Sequence, residues 1–312
     1  MIKVKSPANI AFVKHWGMSP QGMPLSCSVS MNLSNCYTIT LLEENQDGTD
    51  LCVLNDQIID FATGRNCKIL DMIQYARLAT GSKKFVTIRS SNNFPTSTGI
   101  ASSASGFSAL AVGLKEFYNL QDDIVKFTAR SGSISACRSL LNEFCGVDTK
   151  LAVSDFEPRF SRFELVDIVL ILEESGKSVS SSEGQSASKN SLIFGTRINE
   201  ANRDYDFLLG NDFSFTELGK IIEKQAILLH LTTILSDPAF NYYNLNTLLV
   251  IEKTWELRKN GLEIYFTIDA GCNVHIICRD KDKEDVLSSF RRIDFIKNTI
   301  INYPTKGAHI IY

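Results

Sequence analysis

One segment, Asn92–Phe107 (NNFPTSTGIASSASGF), has the serine, threonine and glycine content of a phosphate-binding loop. The residues before it, Lys84–Arg89, alternate as a strand does, and Ala104–Tyr118 after it carries apolar residues at helical spacing. A loop between a strand and a helix presents unpaired N–H groups at the helix start, where an anion is favoured. Gly99 permits unusual backbone angles, and small side chains leave space for the anion at Ser102, Ser103 and Ser105.

This loop matches neither the GxxxxGK[ST] pattern nor the GxGxxG pattern, so the known nucleotide motifs do not identify it. A solvated serine-rich turn that caps a core helix would have the same composition. The loop alone therefore leaves both interpretations open.

A second candidate anion site lies in Ala129–Phe144, where three serines precede Arg138. They are Ser131, Ser133 and Ser135. An arginine beside a helix start can hold a carboxylate or phosphate with two parallel hydrogen bonds, which lysine cannot do. The alternative is a surface arginine beside a serine that caps the helix.

Asp269 is the candidate catalytic carboxylate, because it ends an apolar strand and begins a turn, DAGCN, where its side chain can project into a cleft. An aspartate before a glycine also commonly just caps a turn. We interpret His230 and His275 as structural histidines with satisfied hydrogen bonds.

The whole chain has 312 residues, is 44% hydrophobic and 21% charged, and carries a net charge of −3. This composition predicts a globular protein with two domains. Dispersed basic residues argue against nucleic acid, and the lack of a long apolar run or signal peptide predicts a cytoplasmic protein without a membrane span. The eight cysteines and four scattered histidines predict free thiols and no structural metal.

Period-two segments dominate the first half of the chain and helical periodicity the second, which predicts an α+β fold. The expected strands include Leu165–Leu172, buried on both faces. The flexible segment Gly176–Gly184 (GKSVSSSEG) follows it as a possible boundary. We expect a nucleotide-binding domain at 1–176 and a domain with Asp269 at 177–312.

Four stretches together resemble the diphosphomevalonate decarboxylases of the GHMP kinase superfamily. They are SPANIAFVKHWG (Ser6–Gly17), PTSTGIASSASGF (Pro95–Phe107), SGSISACRS (Ser131–Ser139) and FTIDAGCNVH (Phe266–His275). The order and spacing agree along nearly the whole chain. The resemblance implies a two-domain GHMP kinase-like fold with mixed sheets, the active site in a cleft between the domains, and commonly a homodimer.

The resemblance also implies a reaction, in which ATP and Mg²⁺ phosphorylate the C3 hydroxyl of mevalonate 5-diphosphate. Loss of that phosphate and of CO₂ then gives isopentenyl diphosphate, ADP and phosphate, a step of isoprenoid biosynthesis. Asp269 and Arg138 correspond to the catalytic pair, with Arg138 on the C1 carboxylate. Implied substrate-binding residues are Lys14, His15, Ser133, Ser135, Arg138, Ser181 and Ser182. Implied ATP-binding residues are Pro95, Ser97, Gly99, Ala101, Ser102, Ser103 and Ser105, of which Ser103 also meets the metal.

Two departures bear on the substrate. The family's KYWGK sequence reads KHWGM here, so His15 replaces a tyrosine and Met18 a lysine, whose charge Lys177 or Arg130 could supply. The family's Asn-Ser-Phe-His run keeps only its histidine, as His230. A mevalonate 3-kinase, a phosphomevalonate decarboxylase and a non-catalytic nucleotide- or isoprenoid-binding relative are therefore alternatives.

Overall fold

The computed structural model describes residues 1–62, 66–95, 102–175 and 177–312. The predicted positions Ser97, Gly99 and Ala101 lie outside the described residues. Within the described part, none of the helices combines the length and hydrophobicity that crossing a membrane requires.

The strands are β1 (Ile2–Val13), β2 (Ser28–Asn45), β3 (Leu51–Leu54), β4 (Gln57–Ile58), β5 (Phe85–Asn92), β6 (Phe144–Val147), β7 (Val153–Asp155), β8 (Leu165–Ile171), β9 (Tyr265–Thr267), β10 (Val274–Arg279), β11 (Asn298–Asn302) and β12 (His309–Ile310). The helices are α1 (Cys67–Thr80), α2 (Ser102–Tyr118), α3 (Asp122–Gly132), α4 (Ile134–Ser139), α5 (Glu157–Phe160), α6 (Ser181–Ala187), α7 (Phe194–Gly210), α8 (Phe215–Ile234), α9 (Leu245–Lys259) and α10 (Lys283–Phe290).

The first sheet has the strand order β12-β1-β2-β5-β3-β4, and β6 and β7 extend it from β2. β1 and β2 are each continuous, and their register shifts between Pro7 and Asn9, where four residues of β2 bulge out. Such a bulge is compatible with a proline because it does not require the missing N–H donor.

The second sheet has the order β11-β8-β10-β9, and all of its pairs are antiparallel. Every residue of β8 is buried, as the apolar run predicted, because the strand is central and covered on both faces. β8 belongs to this second sheet although it precedes the predicted boundary at residues 176 and 177. Sheet membership thus favours a division before Leu165, and the exact boundary stays a prediction.

The helix start expected in Ala129–Phe144 is confirmed, because α4 begins at Ile134 after Ser133 and carries Arg138 one turn in. Ser131 lies in the last turn of α3, which ends at Gly132, and Ser135 lies inside α4. Another expected segment differs from the structure. The predicted flexible segment GKSVSSSEG contains the start of α6, because Ser180 and Glu183 form a capping box that was not recognised in the sequence. A second capping box, formed by Ser214 and Glu217, begins α8.

One hydrophobic core joins the two sheets. It contains Phe12 and Met31 from the first sheet, Val169 and Ile277 from the second, and apolar residues of α7 and α8. Since these side chains are almost completely buried, the two sheets are fixed relative to each other where the cleft forms.

The return of the chain to the first sheet depends on a close backbone approach at Gly307. A Cβ atom there would collide with the carbonyl oxygens of Leu140 and Leu141, just after α4. The next residue, Ala308, donates its N–H to the Ser139 carbonyl at 2.8 Å. The segment therefore clamps the end of the helix that carries Arg138.

We expect Gly307→Ala to lower the free energy of unfolding by about 1–3 kcal/mol, because the collision is with backbone that cannot move aside cheaply. Gly195→Ala is the matched control: it lies in α7 with no atom within 4 Å of the added carbon, and it should stabilise by about 0.5–1 kcal/mol. Urea denaturation measures both changes. Equal effects of the two substitutions would contradict the clamp.

Candidate active site

A cleft of about 620 Å³ lies between the end of β1, the starts of α2 and α4, the segment 177–189 and the turn after β9. The predicted site residues that line this cleft are Lys14, His15, Ser102, Ser103, Ser133, Ser135, Arg138, Ser181, Ser182 and Asp269. Most of the described candidate residues, although far apart in sequence, thus line one cavity.

Arg138 lies at the base of the cleft with 2% of its surface exposed. Its guanidinium donates to Ser28 Oγ at 2.8 Å, to Ser30 Oγ at 3.0 Å and to Asn9 Oδ1 at 3.1 Å. Burial is the largest influence on this group and lowers its pKa, while the charge of Asp269 opposes that shift. Neutral partners leave the positive charge uncompensated, so the site can attract a carboxylate.

Lys14 directly follows β1, lines the cleft and is 1% exposed. Its ammonium donates to Asp269 Oδ1 at 2.6 Å and to the Ala11 carbonyl at 2.7 Å. Burial lowers the pKa of Lys14, and the adjacent carboxylate works in the opposite direction. The Asp269 carboxylate thus reaches across the cleft to a lysine and does more than cap its turn, while its catalytic role stays a prediction.

The turn that carries Asp269 is anchored on several sides. Asn273 Oδ1 accepts the N–H groups of Leu172 and Glu173 at 2.7 and 3.0 Å, next to the end of β8. The Ala270 carbonyl accepts from Lys177 Nζ at 2.6 Å. The Asp269 backbone is therefore held, while its side chain keeps 20% exposure to the cleft.

The phosphate-loop positions divide into two groups. Ser102 and Ser103 begin α2 and line the cleft. Ser105 does not reach it, since its hydroxyl is buried, accepts from Thr38 Oγ1 at 2.6 Å and donates to the Ser102 carbonyl at 3.1 Å. Pro95 is half-buried after β5 and is not among the cleft-lining residues.

A second cavity of about 300 Å³ adjoins the cleft and shares Ser102, Ser103 and Phe107 with it. Its walls include apolar side chains such as Ile69 and Ile88 and amides such as Asn92. Apolar walls with a few amide groups suit a flat heterocycle.

The remaining serines present hydroxyl groups along the cleft. Ser133 precedes α4 in an extended conformation, and its side chain forms no capping hydrogen bond. Ser181 Oγ accepts from Lys177 Nζ at 2.8 Å. His15 lines the cleft and is partly exposed; burial, followed by Arg138 and Arg197, lowers its pKa to about 3.

The charge of the cleft is strongly positive, although the chain as a whole carries −3. Among the described residues that line it, one is acidic, Asp269, and six are basic: Lys14, Lys68, Arg130, Arg138, Lys177 and Lys189. Such an excess suits a ligand, or a pair of ligands, with several negative charges.

Sequence reasoning missed several residues that build the site. Asn9, Ser28 and Ser30 hold Arg138, and only their alternation on two strands could have indicated a shared face. Lys68 and Lys189 also line the cleft. Neither lysine lies in a motif that the sequence would single out.

The two histidines differ from each other. His275 is structural, with Nδ1 2.9 Å from Asp167 Oδ1. Its expected hydrogen bonding is confirmed for this nitrogen alone, because the buried Nε2 has no partner among the described residues. His230 was expected to have satisfied nitrogens, which was wrong, because neither ring nitrogen has a partner of good geometry. Its ring is 1% exposed, stacks on Tyr243 at 3.9 Å between centroids, and lies beside the backbone of Ile268 and Asp269.

The thiol prediction is confirmed, since all eight cysteines are free and six are buried. In the part of the chain that the structure describes, no group of three or more His, Cys, Asp or Glu side chains is arranged to hold a metal ion.

Comparison with known proteins gives a consistent result along the chain. Residues 6–155 match the family model of the diphosphomevalonate decarboxylase-like N-terminal domain, and residues 167–309 match that of the mevalonate 5-diphosphate decarboxylase C-terminal domain. The diphosphomevalonate decarboxylase of Candida albicans is 28% identical over 313 residues, covering 91% of this chain and 86% of that protein.

Solved structures agree with the sequence matches. Mevalonate diphosphate decarboxylase from Staphylococcus aureus superposes with a TM-score of 0.89 at 27% identity, covering 100% of this chain and 98% of the other. A complex of MDDEF with MVAPP, AMPPCP and magnesium gives 0.87 at 25% identity, covering 99% and 98%. These matches confirm the predicted resemblance and the two-domain α+β fold.

We predict that His230 makes the protein sensitive to acid. Burial lowers its pKa from 6.5 to about 3, so between these pH values the unfolded chain binds a proton that the folded chain does not. Stability therefore falls with pH below about 6.5, by about 2 kcal/mol from this residue by pH 5. His230 is a better probe than His15, whose side chain keeps partial exposure.

The measurement is urea denaturation at pH 7 and pH 5 for the wild type and for His230→Phe, which keeps the stacking on Tyr243. The variant should lose less stability on acidification than the wild type. An identical loss in both proteins would refute the role of His230.

Proposed function

Because the chain belongs to the diphosphomevalonate decarboxylase family, we propose that it catalyses the ATP-dependent decarboxylation of mevalonate 5-diphosphate to isopentenyl diphosphate. ADP, phosphate and CO₂ are the other products. The observation that carries the proposal is the placement of Arg138 and the Lys14–Asp269 pair in one cationic cleft beside Ser102 and Ser103.

Asp269 acts on the C3 hydroxyl in this proposal. Its carboxylate orients the hydroxyl and accepts the proton as the oxygen bonds to the γ-phosphorus of ATP and the bond to ADP breaks. Lys14 holds one carboxylate oxygen at 2.6 Å, which fixes the direction of the other. The tertiary alcohol thereby becomes a competent nucleophile at a defined position.

Arg138 acts in the second step. The C3–O bond breaks with its electron pair leaving on phosphate, and the C1–C2 bond breaks to form the C2=C3 double bond and CO₂. A guanidinium that holds the C1 carboxylate keeps the breaking bond aligned with the developing empty orbital at C3. Because Arg138 is buried and fixed by three neutral side chains, it provides this alignment without rearranging.

ATP and Mg²⁺ fit the other end of the cleft. The hydroxyl groups of Ser102 and Ser103 are oxygen donors at a helix start, and Ser103 suits a hard cation together with phosphate oxygens. Bound magnesium would neutralise charge on the transferred phosphoryl group. The cavity of about 300 Å³ next to these serines fits the base and sugar of the nucleotide.

A second candidate is a related activity on another mevalonate derivative, either 3-phosphorylation without decarboxylation or decarboxylation of the monophosphate. It is favoured by Met18 and His15, which line the cleft where the family sequence has lysine and tyrosine. The presence of Arg138 together with Asp269 favours the decarboxylase over the 3-kinase. Phosphorylation of the C3 hydroxyl does not require a residue that holds the C1 carboxylate.

The product balance tests the proposal. Purified protein with ATP, Mg²⁺ and mevalonate 5-diphosphate should release ADP, phosphate and CO₂ in equal amounts. ADP without CO₂ would establish the 3-kinase instead. Turnover of mevalonate 5-phosphate only would establish the monophosphate decarboxylase.

We predict that Asp269→Asn lowers kcat by about 10²–10⁴-fold, since an amide cannot accept the proton. The affinity for ATP, measured by calorimetry, should stay within about threefold of the wild type. Asp212→Asn, on an aspartate whose side chain is 98% exposed, is the matched control and should keep full activity. If Asp269→Asn loses ATP affinity together with activity, Asp269 has a structural role and not a catalytic one.

The homodimer remains a proposal, and we place its interface on α8 and α9. A groove of about 860 Å³ there is lined by Leu231, Ile234, Leu248, Leu249 and Trp255, which are 41–51% exposed. Glu252, Lys253, Glu256 and Lys259 border the groove with both signs of charge. An apolar face with a mixed-charge rim is complementary to a second copy of itself.

Light scattering after size exclusion tests this interface. The wild type should be a dimer at micromolar concentration, and Leu248→Glu should be a monomer because a carboxylate enters the apolar contact. Leu192→Glu, at a residue that is 88% exposed outside the groove, should remain a dimer. A monomeric wild type or a dimeric Leu248→Glu would exclude this face.

A cytoplasmic location also remains a proposal. It is supported by the eight unpaired thiols, which are typical of a reducing compartment.

A further inference from the structure

The face of the helical segment that follows Lys177 forms one wall of the cleft. Ser182, Gln185, Ser186 and Lys189 all line it. Their spacing of three or four residues puts them on one side of α6 and of the 3-10 turn Ser188–Asn190 that continues it. Lys189 is the one basic residue of this face.

This wall is fixed beside the segment that contains Met18. The backbone N–H of Gly17 donates to Gln185 Oε1 at 3.2 Å, and Met18 forms a bridge with Pro24. Lys189 follows Gln185 by one helical turn on the same face. Gln185 thus brings the two wall segments together, with Met18 and Gln21 on one and Lys189 on the other.

The other basic groups of the cleft are engaged elsewhere. Lys14 pairs with Asp269, and Arg138 is held by Asn9 and two serines. Lys177 donates to Ala270 and Ser181, Lys68 donates to the Gly132 carbonyl at 3.0 Å, and Arg130 lies over the Phe127 ring at 4.9 Å.

Lys189 differs from these groups in being exposed while it lines the cleft. A long, exposed lysine side chain can follow the phosphate groups of a ligand as a mobile point charge. Within the described residues, the acidic group of the cleft is Asp269, and Lys14 neutralises it. No described carboxylate of the cleft wall therefore competes with a ligand for Lys189.

We propose that Lys189 is a specificity-determining residue that binds the phosphate groups on C5 of the substrate, in the place where Met18 supplies no charge. The proposal rests on the function proposed above. It assigns Lys189, rather than Lys177 or Arg130, to replace the missing lysine. Ser182 and Ser186, on the same wall, provide hydroxyl donors beside it.

The test is the binding and turnover of mevalonate 5-diphosphate by Lys189→Gln, which removes the charge and keeps most of the side-chain length. KM for this substrate should rise by about 10- to 100-fold, with kcat and KM for ATP changed by less than about threefold. Lys220→Gln, at an exposed position on α8 outside the cleft, should match the wild type.

A rescue variant distinguishes a charge effect from damage to the wall. Met18→Lys in the Lys189→Gln background returns one positive charge to this end of the cleft, and it should recover most of the lost KM. An unchanged KM in Lys189→Gln, a rise in KM for ATP instead, or no recovery in the double variant would each overturn the proposal.

Calorimetric binding of mevalonate 5-diphosphate separates this inference from the proposed function. If the wild type binds the compound but releases no CO₂, the proposed reaction fails while the comparison of Lys189→Gln with wild type still tests the contact. If the wild type does not bind it at all, both proposals fail.

Discussion

The site depends on the ion pair between Lys14 and Asp269, whose partners come from different sheets. β1 of the first sheet delivers the lysine, and the turn after β9 of the second delivers the aspartate, across 255 residues of sequence. A buried lysine without its carboxylate would be costly to desolvate. The pair therefore ties the relative position of the two sheets to the geometry of the reacting group, and the shared hydrophobic core supports both.

Arg138 follows a different principle, because no carboxylate in the described part of the chain forms an ion pair with its buried charge. Three neutral side chains satisfy its donors, so its position is fixed while its charge is not cancelled. A buried charge without a charged partner lowers folding stability, and the binding of an anion explains why the protein keeps it. The close approach at Gly307 and the hydrogen bond from Ala308 to Ser139 brace the helix that carries it.

Local patterns in the sequence predicted β8 and α2, since each depends on neighbouring residues. The contacts between the site residues were harder to predict from the sequence. Asn9 meets Arg138 across 129 residues because α4 packs against β1, and the register of β1 with β2 puts Ser28 and Ser30 beside them. No periodicity encodes such a register. Residue types and spacing singled out Asp269 and Arg138, and the resemblance gave them their expected roles. Neither pointed to Lys189, which lies outside the motifs.

The cleft combines fixed and mobile charges. Lys14 and Arg138 are almost fully buried, and in the proposed mechanism they hold the reacting centre, where a displacement of about 1 Å would cost much of the rate. Lys189 is exposed, and in its proposed role it binds the far end of the substrate, where binding needs charge more than exact geometry. Replacing a lysine at position 18 by one on another element is tolerable for that second task. The same exchange at Lys14 would separate Asp269 from the ammonium group that holds its carboxylate.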